Sequence, residues 1–203
     1  MTTKKMKDWR GNSHSQYVTI GASNHSKNER EVRDYYATDP KAAELLLRYE
    51  TFVGPIWECA CGEKNLSAVF ERHGYEVRSS DIEDRCGNEV LDFLGIENWD
   101  PWKGDIVTNP PYAMATEFVY RALHLVGGGK KVCMFLRTLF LEGKERKSLF
   151  LQFPPKVIYV FSSRIACLMN NEGNFAQAGS AQSYSWFVWE KGYKGDTIVK
   201  WIN

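Results

Sequence analysis

The sequence predicts a single α/β domain built on a parallel sheet with helices on both faces. Three observations lead to this fold class. Short apolar runs alternate with segments of helical periodicity along most of the chain. The 203 residues, 43% of them hydrophobic, suffice for one core of ordinary size. Glycine, acidic or amide residues follow several of the apolar runs, and in parallel sheets ligands bind at such strand ends.

Residues that favour the ends of helices predict where the elements of the first half of the chain begin and end. Asp39 can cap a helix and Pro40 suits its first turn. Gly74 can adopt the left-handed conformation that ends a helix. These signals and the apolar runs predict a helix over 39–49, a strand over 55–60, a helix over 66–73, and strands over 75–79, 89–92 and 105–108.

The second half continues the alternation. Three consecutive glycines, at 127–129, stop an apolar helix, and a Gly-Tyr-Lys-Gly-Asp turn joins the last two strands. The predicted elements are a helix over 113–126, a strand over 131–136, a helix over 142–151, and strands over 157–161, 183–190 and 197–202.

Residues 1–33 differ from the rest of the chain. They are polar, lack periodicity and carry seven basic against three acidic residues. We therefore expect a loosely ordered, partly basic arm over 1–33 and one folded domain over 34–203. No apolar run follows the basic start, which predicts neither a signal peptide nor a membrane span.

Composition excludes several classes of protein. Twenty-six Lys and Arg against 25 Asp and Glu give a net charge of +1, so the chain is not a polycation. The basic residues are nevertheless concentrated, with nine against two acidic residues over 121–164. The five cysteines form no Cys-x-x-Cys pair, which indicates reduced thiols and a cytoplasmic protein. The four histidines are dispersed, and no metal site is predicted.

Two strand ends have the composition of a nucleoside pocket. Gly62 follows the strand over 55–60 and lets a ligand approach the backbone closely. Asp81 follows the next strand and can accept both hydroxyls of a ribose. The alternative is that Gly62 only turns the chain and Asp81 only caps a helix.

The segment Asn109-Pro110-Pro111-Tyr112 is more specific. Two consecutive prolines fix two φ angles, so the Pro110 carbonyl is held beside the Asn109 side-chain oxygen. Two fixed acceptors suit an exocyclic amino group, and Tyr112 offers a flat face to the ring that carries it. The alternative is an ordinary turn after a strand.

These motifs resemble those of S-adenosylmethionine-dependent amino-methyltransferases, and most of all the DNA adenine methyltransferases of bacteria and their phages. The resemblance spans most of residues 34–190. It implies a Rossmann-like class I methyltransferase domain with a mostly parallel, seven-stranded sheet. It also implies that the residues in Asn-Pro-Pro-Tyr are catalytic: Asn109, Pro110, Pro111 and Tyr112.

The resemblance further implies a binding site for S-adenosylmethionine. Residues 35–40 are similar to the segment that holds the methionine end, residues 58–62 to the cofactor loop, and Asp81 to the ribose acid. The implied contacts are Tyr36, Thr38, Glu58, Cys59, Ala60, Gly62, Asp81, Ile82, Asp92 and Phe93. The family loop usually has a second glycine where this chain has Lys64. Either the loop opens differently or Lys64 points to solvent, and the departure puts cofactor affinity in question.

The function expected from the resemblance is methylation of the adenine N6 amine in DNA, as in phage or restriction-modification enzymes. Phosphate contacts are expected from four basic residues: Lys144, Arg146, Lys147 and Arg164. The chain has no insertion long enough for a target-recognition domain, so loops, the arm, a partner or a dimer would recognise the target. Three alternative substrates are cytosine N4, an RNA base and a release-factor glutamine. A non-catalytic DNA-binding subunit of the same fold is the alternative from another class.

Overall fold

We analysed a computed structural model of the chain, which describes residues 36–95, 100–169, 174–175 and 182–203. The predicted arm, 1–33, lies outside these residues. Four α-helices are present in the described part: α1 (Lys41–Leu47), α2 (Ser67–Arg72), α3 (Ala115–Leu125) and α4 (Lys147–Gln152). None of them has the length and apolar character needed to span a membrane.

Ten strands are described. They are β1 (Tyr36–Thr38), β2 (Ile56–Glu58), β3 (Val77–Asp81), β4 (Glu89–Val90), β5 (Asp105–Thr108), β6 (Lys131–Arg137), β7 (Val157–Phe161), β8 (Cys167–Met169), β9 (Tyr184–Glu190) and β10 (Ile198–Ile202). Eight form one sheet in the order β10-β7-β9-β6-β5-β2-β3-β4, while β1 and β8 pair separately. Only β9 is antiparallel to its neighbours in the large sheet.

The strand count corrects one expectation. The resemblance implied seven strands, whereas the large sheet has eight. The eighth strand, β10, lies at the edge and pairs in parallel with β7. The predicted last two strands are present, but β7 lies between β9 and β10, so the turn that joins them does not form a hairpin.

Apolar side chains cover both faces of the sheet. One core cluster packs α1 and α2 against residues such as Phe135 and Trp186. The other packs α3 and α4 against residues such as Trp57 and Phe187. Alternate residues of β6 and β9 point into opposite clusters, as the twofold period of a strand requires. The central strands are therefore buried on both faces, and in parallel sheets ligand sites lie at the carboxyl ends of such strands.

Helix α1 shows how the local signals act. The Asp39 carboxylate accepts the backbone N–H of Lys41 at 2.9 Å, and the Asp39 carbonyl accepts that of Ala42 at 2.8 Å. These bonds satisfy amides that lack partners within the first turn. The Asp39 carboxylate therefore accepts a hydrogen bond from the first turn of α1, as the sequence predicted.

Candidate active site

Strands β2, β3 and β5 are adjacent and parallel, so their carboxyl ends meet at one edge. A cavity at this edge encloses about 1030 Å³ of unfilled space, part of it open to solvent. All fourteen residues predicted for catalysis or cofactor binding line it: Tyr36, Thr38, Glu58, Cys59, Ala60, Gly62, Asp81, Ile82, Asp92, Phe93, Asn109, Pro110, Pro111 and Tyr112. The structure thus brings these residues together, and the role of each stays a prediction.

Glu58 ends β2 and is 2% exposed. Its Oε2 accepts the backbone N–H of Ser67 at 2.8 Å and also the Ser67 hydroxyl. Burial raises the pKa of the Glu58 carboxyl to about 8, although the bonds from Ser67 oppose the rise. Glu58 therefore joins β2 to the start of α2 beneath the cavity, a contact with Ser67 that sequence reasoning missed.

The raised pKa of Glu58 predicts a pH dependence of folding. A carboxyl with a raised pKa binds its proton more tightly when folded, so its stabilising effect is present at acid pH and is lost as the pH rises to about 8. The Glu58→Gln variant keeps an acceptor for Ser67 but cannot ionise. Between about pH 5 and about pH 8, we expect the free energy of unfolding to fall by a few kcal/mol more in the wild type than in the variant.

Urea denaturation of both proteins at the two pH values measures this difference. Parallel losses in the wild type and in Glu58→Gln would show that the Glu58 carboxyl ionises as it does in the unfolded chain.

The loop that resembles a cofactor loop, residues 58–62, is hydrogen-bonded to Asp81 at the end of β3. Gly62 has a φ of +51°, and its backbone N–H donates to Oδ2 of Asp81 at 2.9 Å. The other oxygen, Oδ1, accepts the N–H of Glu83 at 3.2 Å. Each carboxylate oxygen has a second lone pair, so Asp81 can hold the loop and still accept hydroxyls of a ligand.

Lys64 occupies the position of the missing second glycine. Its φ is +61°, in the left-handed region that glycine favours, and its N–H donates to the Cys61 carbonyl at 2.8 Å. The ammonium group donates to the Gly87 carbonyl at 3.2 Å, and Lys64 does not line the cavity. The loop therefore keeps a glycine-type turn, and the lysine side chain points away from the site.

Lys64→Gly should consequently stabilise the fold. Glycine relieves the left-handed strain, and we expect the free energy of unfolding to rise by about 0.5–1 kcal/mol, with cofactor affinity unchanged. Lys64→Ala is the matched control, because it removes the side chain but keeps the strain. Chemical denaturation compares the variants, and a Lys64→Gly protein no more stable than Lys64→Ala would contradict the assigned strain.

The far side of the cavity is apolar. Phe93 is 2% exposed, and its ring packs against Trp57 at 5.3 Å and Phe118 at 5.0 Å between centroids. The preceding residue, Asp92, is exposed, and its Oδ1 accepts the backbone N–H of Leu94 at 3.0 Å. An aromatic ring that is fixed by packing and lies beside an acidic side chain is suited to binding a flat ring with polar edges.

Asn109 has a fixed orientation. Its amide Nδ2 donates to the Tyr36 carbonyl at 3.2 Å and to the Thr38 hydroxyl at 2.8 Å. The Tyr36 carbonyl can only accept, so the nitrogen must face β1 and the oxygen must face away from it. That oxygen, Oδ1, is buried and has no hydrogen-bond partner. A buried acceptor without a donor is costly, so Oδ1 is an acceptor that a hydrogen-bond donor would stabilise.

Tyr112 packs between aromatic neighbours. Its ring stacks on Tyr36 with centroids 5.9 Å apart, and Tyr184 lies at the same distance. Burial raises the pKa of the Tyr112 hydroxyl well above its ordinary value, so the hydroxyl is neutral. Its oxygen lies 3.8 Å from Sγ of Cys167. The ring is thereby held at the cavity wall, where it can position a flat ligand.

The basic residues predicted to contact phosphate differ in their surroundings. Lys144, Lys147 and Arg164 are exposed. Arg146 instead directs its guanidinium inward, where Nε donates to the Phe140 carbonyl at 2.8 Å and another nitrogen donates to the Glu142 carbonyl. Arg146 therefore fixes the turn that carries the neighbouring lysines.

Sequence reasoning missed the pairing of β1 with β8 and the contact of Arg137 with Tyr112. β1 is only three residues long, and its sequence has no strand pattern. Its motif indicated a cofactor contact instead. The sequence indicates nothing more for Arg137 than that it is one of the basic residues over 121–164. The guanidinium carbon of Arg137 lies 4.9 Å from the Tyr112 ring centroid.

No protein-family model matches the chain, and no curated protein matches it by sequence. Solved structures do match. One, assigned as a class I S-adenosylmethionine-dependent methyltransferase from Listeria monocytogenes, is 14% identical with a TM-score of 0.55, over 92% of this chain and 71% of that one. Another, assigned as an RNA methyltransferase from Pyrococcus horikoshii, is 13% identical with a TM-score of 0.56, over 89% and 99%.

A third similar structure is assigned as a modification subunit of a type I restriction enzyme from Vibrio vulnificus. It is 13% identical with a TM-score of 0.56, and the match covers 93% of this chain but 50% of that subunit. At these identities the likeness shows the fold. The chain has the Rossmann-like class I methyltransferase fold, which confirms the fold class that the sequence predicted.

Proposed function

We propose that the protein is an S-adenosylmethionine-dependent methyltransferase that methylates the N6 amine of adenine in DNA. One observation carries the proposal: the buried, unpartnered Oδ1 of Asn109 at the wall of the cavity. This acceptor needs a donor, and an exocyclic amine supplies one. The rigid Pro110-Pro111 pair that follows would supply a second acceptor, the Pro110 carbonyl, to the same amine.

The residues of the cavity fit the proposed cofactor. Asp81 would accept the ribose hydroxyls, Thr38 would contact the methionine carboxylate, and Phe93 would pack against the adenine with Asp92 at its polar edge. The close approach of backbone and ligand that the loop requires is possible at Gly62, which has no side chain. When bound, S-adenosylmethionine supplies an electrophilic methyl group on a sulfonium.

The chain's residues would act by positioning the amine. Asn109 and the Pro110 carbonyl accept its two hydrogens, which turns the nitrogen lone pair toward the methyl carbon. This lone pair would take up the methyl group with loss of the cofactor's carbon–sulfur bond, and the amine nitrogen would gain a positive charge. The two acceptors stabilise that charge, and the extra proton leaves to solvent. No strong base is required.

Support for DNA as the substrate comes from three sources. The adenine amine is paired in duplex DNA, so the base must leave the helix, and the open cavity beside the flat ring of Tyr112 can receive it. Lys144 and Lys147 are exposed at and just before the start of α4, where they can contact phosphates. The similarity to a restriction modification subunit agrees with such a substrate.

A transfer assay tests the proposal. The protein is incubated with labelled S-adenosylmethionine and, in parallel, with unmethylated DNA, RNA and a release factor. We expect label in DNA as N6-methyladenine. Label in RNA or in the release factor would identify one of the alternative substrates. Failure to bind labelled cofactor at millimolar concentration would favour the non-catalytic subunit.

A further inference from the structure

Arg137 is the last residue of β6 and lies against the ring of Tyr112. Its guanidinium carbon is 4.9 Å from the ring centroid, a distance typical of a cation stacked on an aromatic face. Its Nε is buried and has no hydrogen-bond partner. Arg137 thus combines a charge and an unused donor beside the Asn-Pro-Pro-Tyr segment.

The charge of Arg137 is not balanced within the described part of the chain. No carboxylate of those residues lies within ion-pair distance of it. Arg78 shows the contrasting case, because it lies 4.3 Å from the Trp57 ring and also donates to both carboxylate oxygens of Glu89 at 2.8 Å. Arg78 is therefore paired with a carboxylate, whereas Arg137 has no such pair among the described residues.

The position of Arg137 in the sheet indicates which group of a ligand its guanidinium could bind. β6 lies beside β5, with Met134 level with Thr108, so Arg137 extends past the end of β5 at the same edge as Asn109. Tyr36 and the guanidinium of Arg137 both contact the Tyr112 ring. Tyr184 packs on the same ring, and a base that takes the place of the guanidinium on it would displace Arg137.

We propose that Arg137 binds a phosphate of the target nucleotide once the base has taken its place on Tyr112. This inference rests on the proposed function, since it requires a nucleotide in the site. The displaced guanidinium is planar, permanently charged and suited to bidentate contact with phosphate oxygens. The phosphate attached to the bound nucleoside is an anion that such a substrate would bring to the site.

Titration calorimetry of the protein saturated with S-adenosylhomocysteine tests the proposal. Deoxyadenosine 5′-monophosphate and deoxyadenosine share the base and differ in the phosphate. We expect the wild type to bind the nucleotide roughly tenfold to a hundredfold more tightly, as one or two charge-assisted hydrogen bonds provide. Arg137→Gln should lose this preference while retaining its affinity for deoxyadenosine, and Arg137→Lys should keep part of it.

Lys200→Gln is the matched control, because it removes an exposed basic residue that lies over another aromatic ring, Tyr159, outside the cavity, and it should leave the preference intact. An equal preference in the wild type and in both Arg137 variants would overturn the inference, as would a wild type without any preference. A wild type that methylates DNA but binds both ligands equally overturns this inference alone. If no nucleic acid is methylated, the proposed function fails, and a nucleotide preference lost in Arg137→Gln would still support the phosphate contact.

Discussion

Replacing Asn109 by alanine is expected to lower kcat by about a hundredfold to a thousandfold. The substitution removes Oδ1, the buried acceptor that is proposed to stabilise positive charge on the amine nitrogen as the methyl group transfers. Because this charge develops in the transition state, the loss should appear in kcat more than in the affinity for DNA. Single-turnover methylation at saturating cofactor and DNA measures it.

Thr38→Val is the control for loss of the hydrogen bonds that the Asn109 amide nitrogen donates. It removes the 2.8 Å hydrogen bond from Nδ2 of Asn109 to the Thr38 hydroxyl but leaves Oδ1 in place. Since Thr38 is predicted to contact the cofactor, this variant should weaken cofactor binding and retain most of kcat. An Asn109→Ala enzyme as fast as the wild type would overturn the assignment of Asn109 as catalytic.

Replacing Asp81 by alanine is expected to weaken the binding of S-adenosylmethionine by about a hundredfold or more. Two effects combine. The ribose hydroxyls lose a charged acceptor, and the 2.9 Å bond that holds Gly62 to Oδ2 is lost from the loop beneath the ligand. Titration calorimetry with S-adenosylmethionine gives the dissociation constant directly.

Asp81→Asn separates the two effects, because it keeps one acceptor oxygen and removes the charge. We expect its affinity to lie between those of the wild type and Asp81→Ala, with kcat at saturating cofactor near the wild-type value in both variants. If Asp81→Ala bound the cofactor as tightly as the wild type, the ribose would have to be held by other residues.

Much of the fold could be predicted because its signals are local. The strand predicted over 157–161 is observed with the same bounds, and the Asp39 cap and the end of α2 near Gly74 lie where the sequence placed them. Each of these depends on a few adjacent residues. Buried parallel strands also need continuous apolar runs, which are visible in the sequence without knowledge of their neighbours.

The missed features depend on residues distant in sequence. β1 becomes a strand only because β8 pairs with it more than a hundred residues later. The placement of β10 beside β7 follows from the order of the whole sheet. The fourteen predicted residues that line the cavity could be expected to lie together because their motifs follow adjacent strand ends. Ser67, which donates to Glu58, and Arg137, which contacts Tyr112, belong to no recognisable motif. Their contacts could therefore be identified only in the folded chain.

One measurement tests most directly whether this chain methylates adenine N6 in DNA. The wild-type chain and Asn109→Ala are expressed in a bacterial host that lacks adenine and cytosine methylation, and the nucleosides of its DNA are quantified by mass spectrometry. We predict N6-methyladenine with the wild type and little or none with Asn109→Ala. N4-methylcytosine, or DNA without N6-methyladenine while purified wild-type protein transfers label to RNA or a release factor, would contradict the claim.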